Sequence, residues 1–140
     1  MESKFTILIL DRNRHIRMFL ERELGQKGYR VIQVNDTSEL ASLCSNKAGY
    51  DLIVLDPELS DSGGKPIIEF IRLCFPNTPI ILHTLWQDKL KYALDSAVIA
   101  CIEKNGNSVV TIHQKVLDIV GKREQSQIES VGPISNHAKN

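Results

Sequence analysis

Short apolar runs alternate with longer amphipathic stretches along this chain. Three runs, "FTILIL" at 5–10, "YDLIVL" at 50–55 and "PIILHT" at 79–84, are rich in Ile, Val and Leu and too short for buried helices. Continuous apolar runs of this length predict strands covered on both faces, as in a parallel sheet. "YRVIQV" at 29–34 and "VIACIE" at 98–103 carry weaker β-branched patterns and complete a set of five strands.

Helical patterns lie between them. Ile16, Phe19, Leu20 and Leu24 recur at three- and four-residue steps, with Gly25 or Gly28 placed to end the turn. "DTSELASLC" opens on Asp36 or Thr37 as N-cap, with Glu39 at capping-box spacing from Asp36. "GGKPIIEFIRLCFP" places Pro66 near a first helical position and stops at Pro76. Trp86, Leu90, Ala93, Leu94 and Ala97 share one face of a further helix, and "SVVTIHQKVLDIV" predicts a last one over about 108–120. Five β-α repeats at this spacing imply an α/β fold with right-handed crossovers and helices on both sides of a parallel sheet.

After Val120 the chain turns polar, so one domain is expected over 1–121 and a flexible C-terminal tail over 122–140. The length of 140 residues, 42% of them hydrophobic, suits one ordinary core. Seventeen basic residues balance seventeen acidic ones, which argues against a free-standing nucleic-acid-binding module. No run approaches the roughly 18–20 apolar residues of a membrane span. Cys44, Cys74 and Cys101 are widely spaced and form no ligand motif, so they read as structural thiols in a reducing, cytoplasmic setting.

In an open parallel sheet, ligands bind beyond the carboxyl ends of the strands, where strand order reverses. The residues at those ends are Asp11, Asp56, Thr84 and Lys104. If the first and third strands are neighbours, two carboxylates, a hydroxyl and an ammonium share one crevice, and "PELSDSGG" can fold over it. Taken singly, each residue has a plainer use: Asp11 before Asn13 could cap the first helix, and Thr84 and Lys104 could be ordinary loop-edge residues.

Together and in this order, they make the chain resemble a response-regulator receiver domain of two-component signalling, from residue 5 to about 120. The matching pieces are "LILD" ending at Asp11, "YDLIVLD" ending at Asp56, Gly64, "PIILHT" ending at Thr84 and "IEK" ending at Lys104. The resemblance implies a flavodoxin-like, doubly wound five-stranded parallel sheet of order 2-1-3-4-5. It implies that Asp56 accepts a phosphoryl group, that Thr84 and Lys104 bind its oxygens, and that Asp11 helps hold Mg²⁺. The implied partners are a sensor histidine kinase or phosphotransfer protein and an unidentified output protein, with no nucleic acid, no membrane and no enzymatic turnover of its own.

Four departures from the family pattern bear on activation. Arg12 stands where the family carries a second acid, so Asp11, Asp56, Arg12 and Lys104 sum to no net charge. A unit charge pair at ~4 Å and an effective dielectric of ~20 is worth about 4 kcal/mol, so an inward Arg12 would weaken Mg²⁺ binding severely or abolish it. Arg12 could instead turn to solvent, pair with Asp56, or grip the phosphoryl group in place of the metal. Glu58 could neutralise Arg12 or supply a compensating metal ligand. Leu85 replaces a small residue, Cys101 replaces the aromatic rotor, and Asn105 replaces a proline, for which a trans bond is expected.

Three functions follow. The first is a receiver that accepts a phosphoryl group on Asp56 and signals by protein–protein contact, without an output domain on the same chain. The second is a pseudo-receiver interaction module that acts independently of phosphorylation. The third, a small α/β nucleotide-binding protein or enzyme, is disfavoured because "LDRNRH" contains no glycine-rich phosphate loop and the histidines have no ligand spacing. The last helix has a wide apolar sector from Val109 to Val120, and Val110 and Tyr92 are candidate contacts for a homodimer across the 86–120 face. Core packing is the competing use of that sector.

Overall fold

Within each central strand nearly every residue is buried, because both faces of the sheet are covered. The computed structural model describes residues 4–45, 49–59, 64–85 and 97–138. In order they form β1 (Thr6–Leu10), α1 (Arg14–Gln26), β2 (Arg30–Val34), α2 (Thr37–Ser45), β3 (Leu52–Leu55), a 3-10 turn (Pro57–Leu59), α3 (Gly64–Cys74), β4 (Ile80–Thr84), β5 (Val98–Glu103) and α4 (Ser108–Ala138). All five strands are parallel, in the expected order 2-1-3-4-5. The helix expected from Trp86 to Ala97 lies almost wholly outside the described residues.

Side-chain alternation splits the core in two. Leu8, Leu10, Ile53, Leu55 and Leu82 face α2 and α3, where Leu40, Ile68 and Ile71 meet them. Ile7, Ile9, Val54, Ile81 and Ile102 face α1 and α4, against Leu20, Leu24, Ile112 and Val116. The edge strands β2 and β5 are only partly buried, which accounts for their weaker apolar pattern. Between β4 and β5 the register shifts at Ile80 and Ile81, whose β5 partners are Val98 and Ala100, leaving Ile99 as an exposed extra residue in β5. This bulge restores the facing of Cys101 and Ile102 toward their respective core layers.

The local signals account for the helix starts. Asn13 caps α1, its side chain accepting the amides of His15 at 2.9 Å and Ile16 at 3.3 Å. Asp36 caps α2 by accepting the Glu39 amide at 2.9 Å. Gly28, at φ 95°, turns the chain after α1 in the left-handed region open to glycine.

Two expectations are corrected. The last helix does not end near Val120; it continues to Ala138, through most of the segment expected to be a flexible tail. From Lys122 to Glu129 the Lys, Arg, Glu and Gln residues are good helix formers even without an apolar stripe, which carries the helix past Val120. Arg123 also anchors the extension, donating to Asp51 at 2.7 Å while lying over the Phe5 ring. The cysteines are not three separate thiols, since Cys44 and Cys74 form a disulfide with their Cα atoms 5.3 Å apart. The ends of α2 and α3 meet on one face of the sheet, a proximity that 30 residues of sequence separation conceal.

Candidate functional site

The β1/β3 register creates the site. Leu10 pairs with Leu55, so the next residues, Asp11 and Asp56, leave the sheet side by side, and the Asp56 amide donates to the Leu10 carbonyl at 2.7 Å. Both acids are buried, with relative exposures of 1% and 3%. Each commits one carboxylate oxygen to its own turn: Asp11 Oδ1 accepts the Asn13 amide at 2.8 Å, and Asp56 Oδ1 accepts the Glu58 amide at 2.9 Å. The remaining oxygens converge on Lys104, whose Nζ lies 3.0 Å from Asp11 Oδ2 and 3.1 Å from Asp56 Oδ2. Burial holds the Asp11 carboxyl above its ordinary pKa, and the negative charge of Asp56 adds to this, while the Asn13 amide and Lys104 oppose it.

Thr84 ends β4 beside these groups, and its carbonyl accepts the Lys104 amide at 2.8 Å. Its hydroxyl is buried without a hydrogen-bond partner. Leu85 follows it, half exposed. Arg12 leans over the crevice: Nε lies 3.9 Å from Asp56 Oδ2, and Nη2 lies 3.8 Å from Glu58 Oε2. Glu58 therefore meets Arg12, and among the described residues no three His, Cys, Asp or Glu side chains converge as a metal-binding group. Cys101 packs into the α2/α3 side of the core, and no described peptide bond is cis.

Two supporting residues escaped the sequence reading. Arg17 is buried on α1; its Nη1 donates to the carbonyls of Asp11 at 2.8 Å and Arg12 at 3.1 Å, and its Nε donates to Gln33 Oε1 at 3.2 Å. It thereby ties the loop carrying Asp11 and Arg12 to α1 and β2. A signal existed, because Arg17 shares a helical face with Leu20 and Leu24, where a charge is out of place unless it caps carbonyls.

The second is His83, whose Nε2 lies 2.8 Å from Ser108 Oγ. That hydroxyl also accepts the Asn105 amide at 3.0 Å and points at the carbonyls of Glu103 and Asn105, so it organises the loop that follows Lys104. The single Ser108 proton goes to a carbonyl, so His83 donates through Nε2 and leaves Nδ1 bare and buried without a partner. Burial, followed by the Lys104 charge, lowers its pKa from 6.5 to about 4, with Asp56 opposing.

A histidine kept neutral in the fold titrates first in the unfolded chain. Its stability contribution is complete above pH 6.5 and is lost as pH falls toward about 4, an expected loss of about 3 kcal/mol. Urea titrations across this window should show His83→Gln, which keeps an N–H for Ser108, losing less stability than wild type. Parallel curves would refute the assignment.

A doubly wound sheet with paired acids and a lysine at the switch between β1 and β3 defines the receiver class. The chain belongs to the response regulator receiver domain family, whose model matches residues 7–117. It is 37% identical over 81 residues to the CAI-1 autoinducer sensor kinase/phosphatase CqsS of Vibrio cholerae, a match covering 56% of this chain and 12% of that protein. Its structure resembles response regulator protein TrrA of Thermotoga maritima, solved in complex with Mg²⁺-BeF, at 27% identity and TM-score 0.65, covering 81% of this chain and 97% of the other. Chemotaxis response regulator CheY4 of Vibrio cholerae shares the fold at 22% identity and TM-score 0.68, with 81% and 99% covered. Receiver domains are signalling modules that meet histidine kinases or phosphotransfer proteins and typically bind Mg²⁺ at the acidic site. No described helix is long and apolar enough to cross a membrane.

Proposed function

We propose that this domain is a signalling receiver in which Asp56 accepts a phosphoryl group from a histidine kinase or phosphotransfer protein. The supporting observation is the buried Asp56 carboxylate, fixed through Oδ1 by the Glu58 amide and presented through Oδ2 to Lys104 at 3.1 Å. Lys104 serves as the point charge for the phosphoryl oxygens, and the unpartnered Thr84 hydroxyl as a donor to them. Asp11 holds Lys104 on its other side. The signal passes by protein–protein contact, for which Val110 and Leu117, both exposed on α4, are candidate surface residues toward an output protein or a second copy.

Mg²⁺ binding is proposed to be weak or absent. A divalent ion would need Asp11, Asp56 and a third oxygen donor, yet Lys104 engages both acids and Arg12 stands 3.9 Å from Asp56. Glu58, the other candidate ligand, is turned to Arg12 at 3.8 Å. This donor set does not suit the ion.

Incubation with a phosphorylated histidine phosphotransfer domain, read by intact mass, is expected to add one phosphoryl group to the wild type and none to Asp56→Asn. Equal uptake by both proteins would place the acceptor elsewhere. Undiminished partner binding by Asp56→Asn, with no uptake by wild type, would favour a phosphorylation-independent interaction module, the reading to which Arg12 over Asp56 lends itself.

A further inference from the structure

We infer that Arg12 takes the part of a divalent cation in this crevice, so that phosphoryl capture on Asp56 proceeds without metal. The inference rests on the proposed receiver function and concerns the chemistry of that same site.

The phosphoryl group of an aspartyl phosphate brings close to two negative charges into a crevice that already holds Asp11. Two cations face the attacking oxygen: Lys104 Nζ at 3.1 Å and Arg12 Nε at 3.9 Å from Asp56 Oδ2. They approach one oxygen from two elements, Lys104 from the end of β5 and Arg12 from the loop after β1. The Arg12 side chain is 53% exposed, so it sits at the mouth with room to close onto an incoming tetrahedral group. Its planar fork can donate two parallel hydrogen bonds to phosphoryl oxygens, a geometry an ammonium lacks.

Two further observations point to an anionic ligand. The Thr84 hydroxyl is buried with no partner, which leaves a donor unused beside the acids. Arg17 holds the carbonyls of Asp11 and Arg12 at 2.8 and 3.1 Å, fixing the backbone from which Arg12 reaches over Asp56. Before reaction Arg12 is balanced by Glu58, 3.8 Å away and itself half exposed, a pairing that an incoming phosphoryl dianion can displace.

The transfer balances with solvent water as the only further participant. Asp56 Oδ2 attacks phosphorus and an O–P bond forms as the donor bond breaks, the P–N bond of a phosphohistidine or the P–O bond of an acyl phosphate. The leaving imidazole takes a proton from water, and a leaving carboxylate needs none. Charge spreads over the three equatorial oxygens during transfer, where Lys104, Arg12 and the Thr84 hydroxyl can each donate.

The test uses the full chain with acetyl phosphate as donor, in EDTA and in Mg²⁺, following uptake by intact mass. Wild type is expected to react at comparable rates in the two buffers. In EDTA, Arg12→Gln should fall by about a hundredfold, the usual cost of removing one donor to a developing negative charge. Arg12→Asp should react only in Mg²⁺. Collapse of wild-type uptake in EDTA would overturn the inference and leave the receiver reading standing. Uptake by Arg12→Asp in Mg²⁺, with none by wild type in either buffer, would show that Arg12 blocks Asp56 and overturn the inference. Absence of uptake in every variant and buffer, from a phosphorylated histidine phosphotransfer domain as well as from acetyl phosphate, would instead reject phosphoryl acceptance on Asp56, on which the inference rests.

Discussion

Lys104→Met is expected to destabilise the fold by about 3 kcal/mol near neutral pH, the usual cost of leaving buried charges without their partner. Lys104 Nζ is the shared counter-ion of Asp11 Oδ2 at 3.0 Å and Asp56 Oδ2 at 3.1 Å, and both carboxylates are almost wholly shielded from water. Methionine keeps most of the side-chain volume, so the loss reports charge rather than a cavity. The pH dependence sets this apart from a packing defect. Burial already raises the Asp11 pKa above 3.8 and Lys104 works against that rise, so the substitution raises it further. A carboxyl whose folded pKa is raised is destabilising while ionised, and the penalty disappears as pH falls through that raised value toward 3.8. The deficit against wild type should therefore shrink on mild acidification in urea titrations. A deficit that stayed constant with pH would mean that the Lys104 stem, and not its charge, supports the fold. Lys104→Met/Asp11→Asn should recover much of the loss even at neutral pH, because it removes one of the two facing charges.

The Cys44–Cys74 disulfide is expected to contribute about 3.5 kcal/mol, from the chain entropy removed by closing a loop of this length. The two cysteines are 30 residues apart and join the C-terminal ends of α2 and α3, at the opposite end of these helices from the crevice. Reduction, or a Cys44→Ser/Cys74→Ser change, should lower the melting temperature by roughly 10 °C, with little effect on reactions at Asp56. Thiol titration of the unfolded, unreduced protein should find Cys101 reactive and the other two protected. Three reactive thiols, together with a melting temperature indifferent to reductant, would show that the cross-link does not form in solution.

The two predictions sit at opposite ends of the sheet and differ in how far the sequence foretold them. Asp11, Asp56, Thr84 and Lys104 were legible because each terminates an apolar run, and a parallel sheet gathers the carboxyl ends of its strands at one edge. The disulfide was not legible, because helix packing sets it. Arg17 and His83 lie between these cases. Arg17 left a trace, a charge in phase with Leu20 and Leu24, whereas His83 appeared only as one residue of a β4 run. Its partner Ser108 is 25 residues away, and the bond exists only because β4 and β5 lie side by side.

Amino-acid order by itself determined the five strands, their parallel alternation with helices, and the four strand-end residues of the crevice. These follow from short-range periodicity and from sterics common to all right-handed β-α units. It could not set the end of α4, because polar residues past Val120 carry helix propensity without a stripe to reveal it, and the Arg123–Asp51 contact spans 72 residues. Nor could it aim Arg12, for which solvent, Asp56 and a ligand were equally open. Tertiary structure decided that: Arg17 fixes the backbone at Arg12 from α1, and Asp56 and Glu58 arrive from β3 and the turn after it to meet the guanidinium. A side chain's direction depends on charges and carbonyls distant in sequence, and only the folded chain brings them within reach of one another.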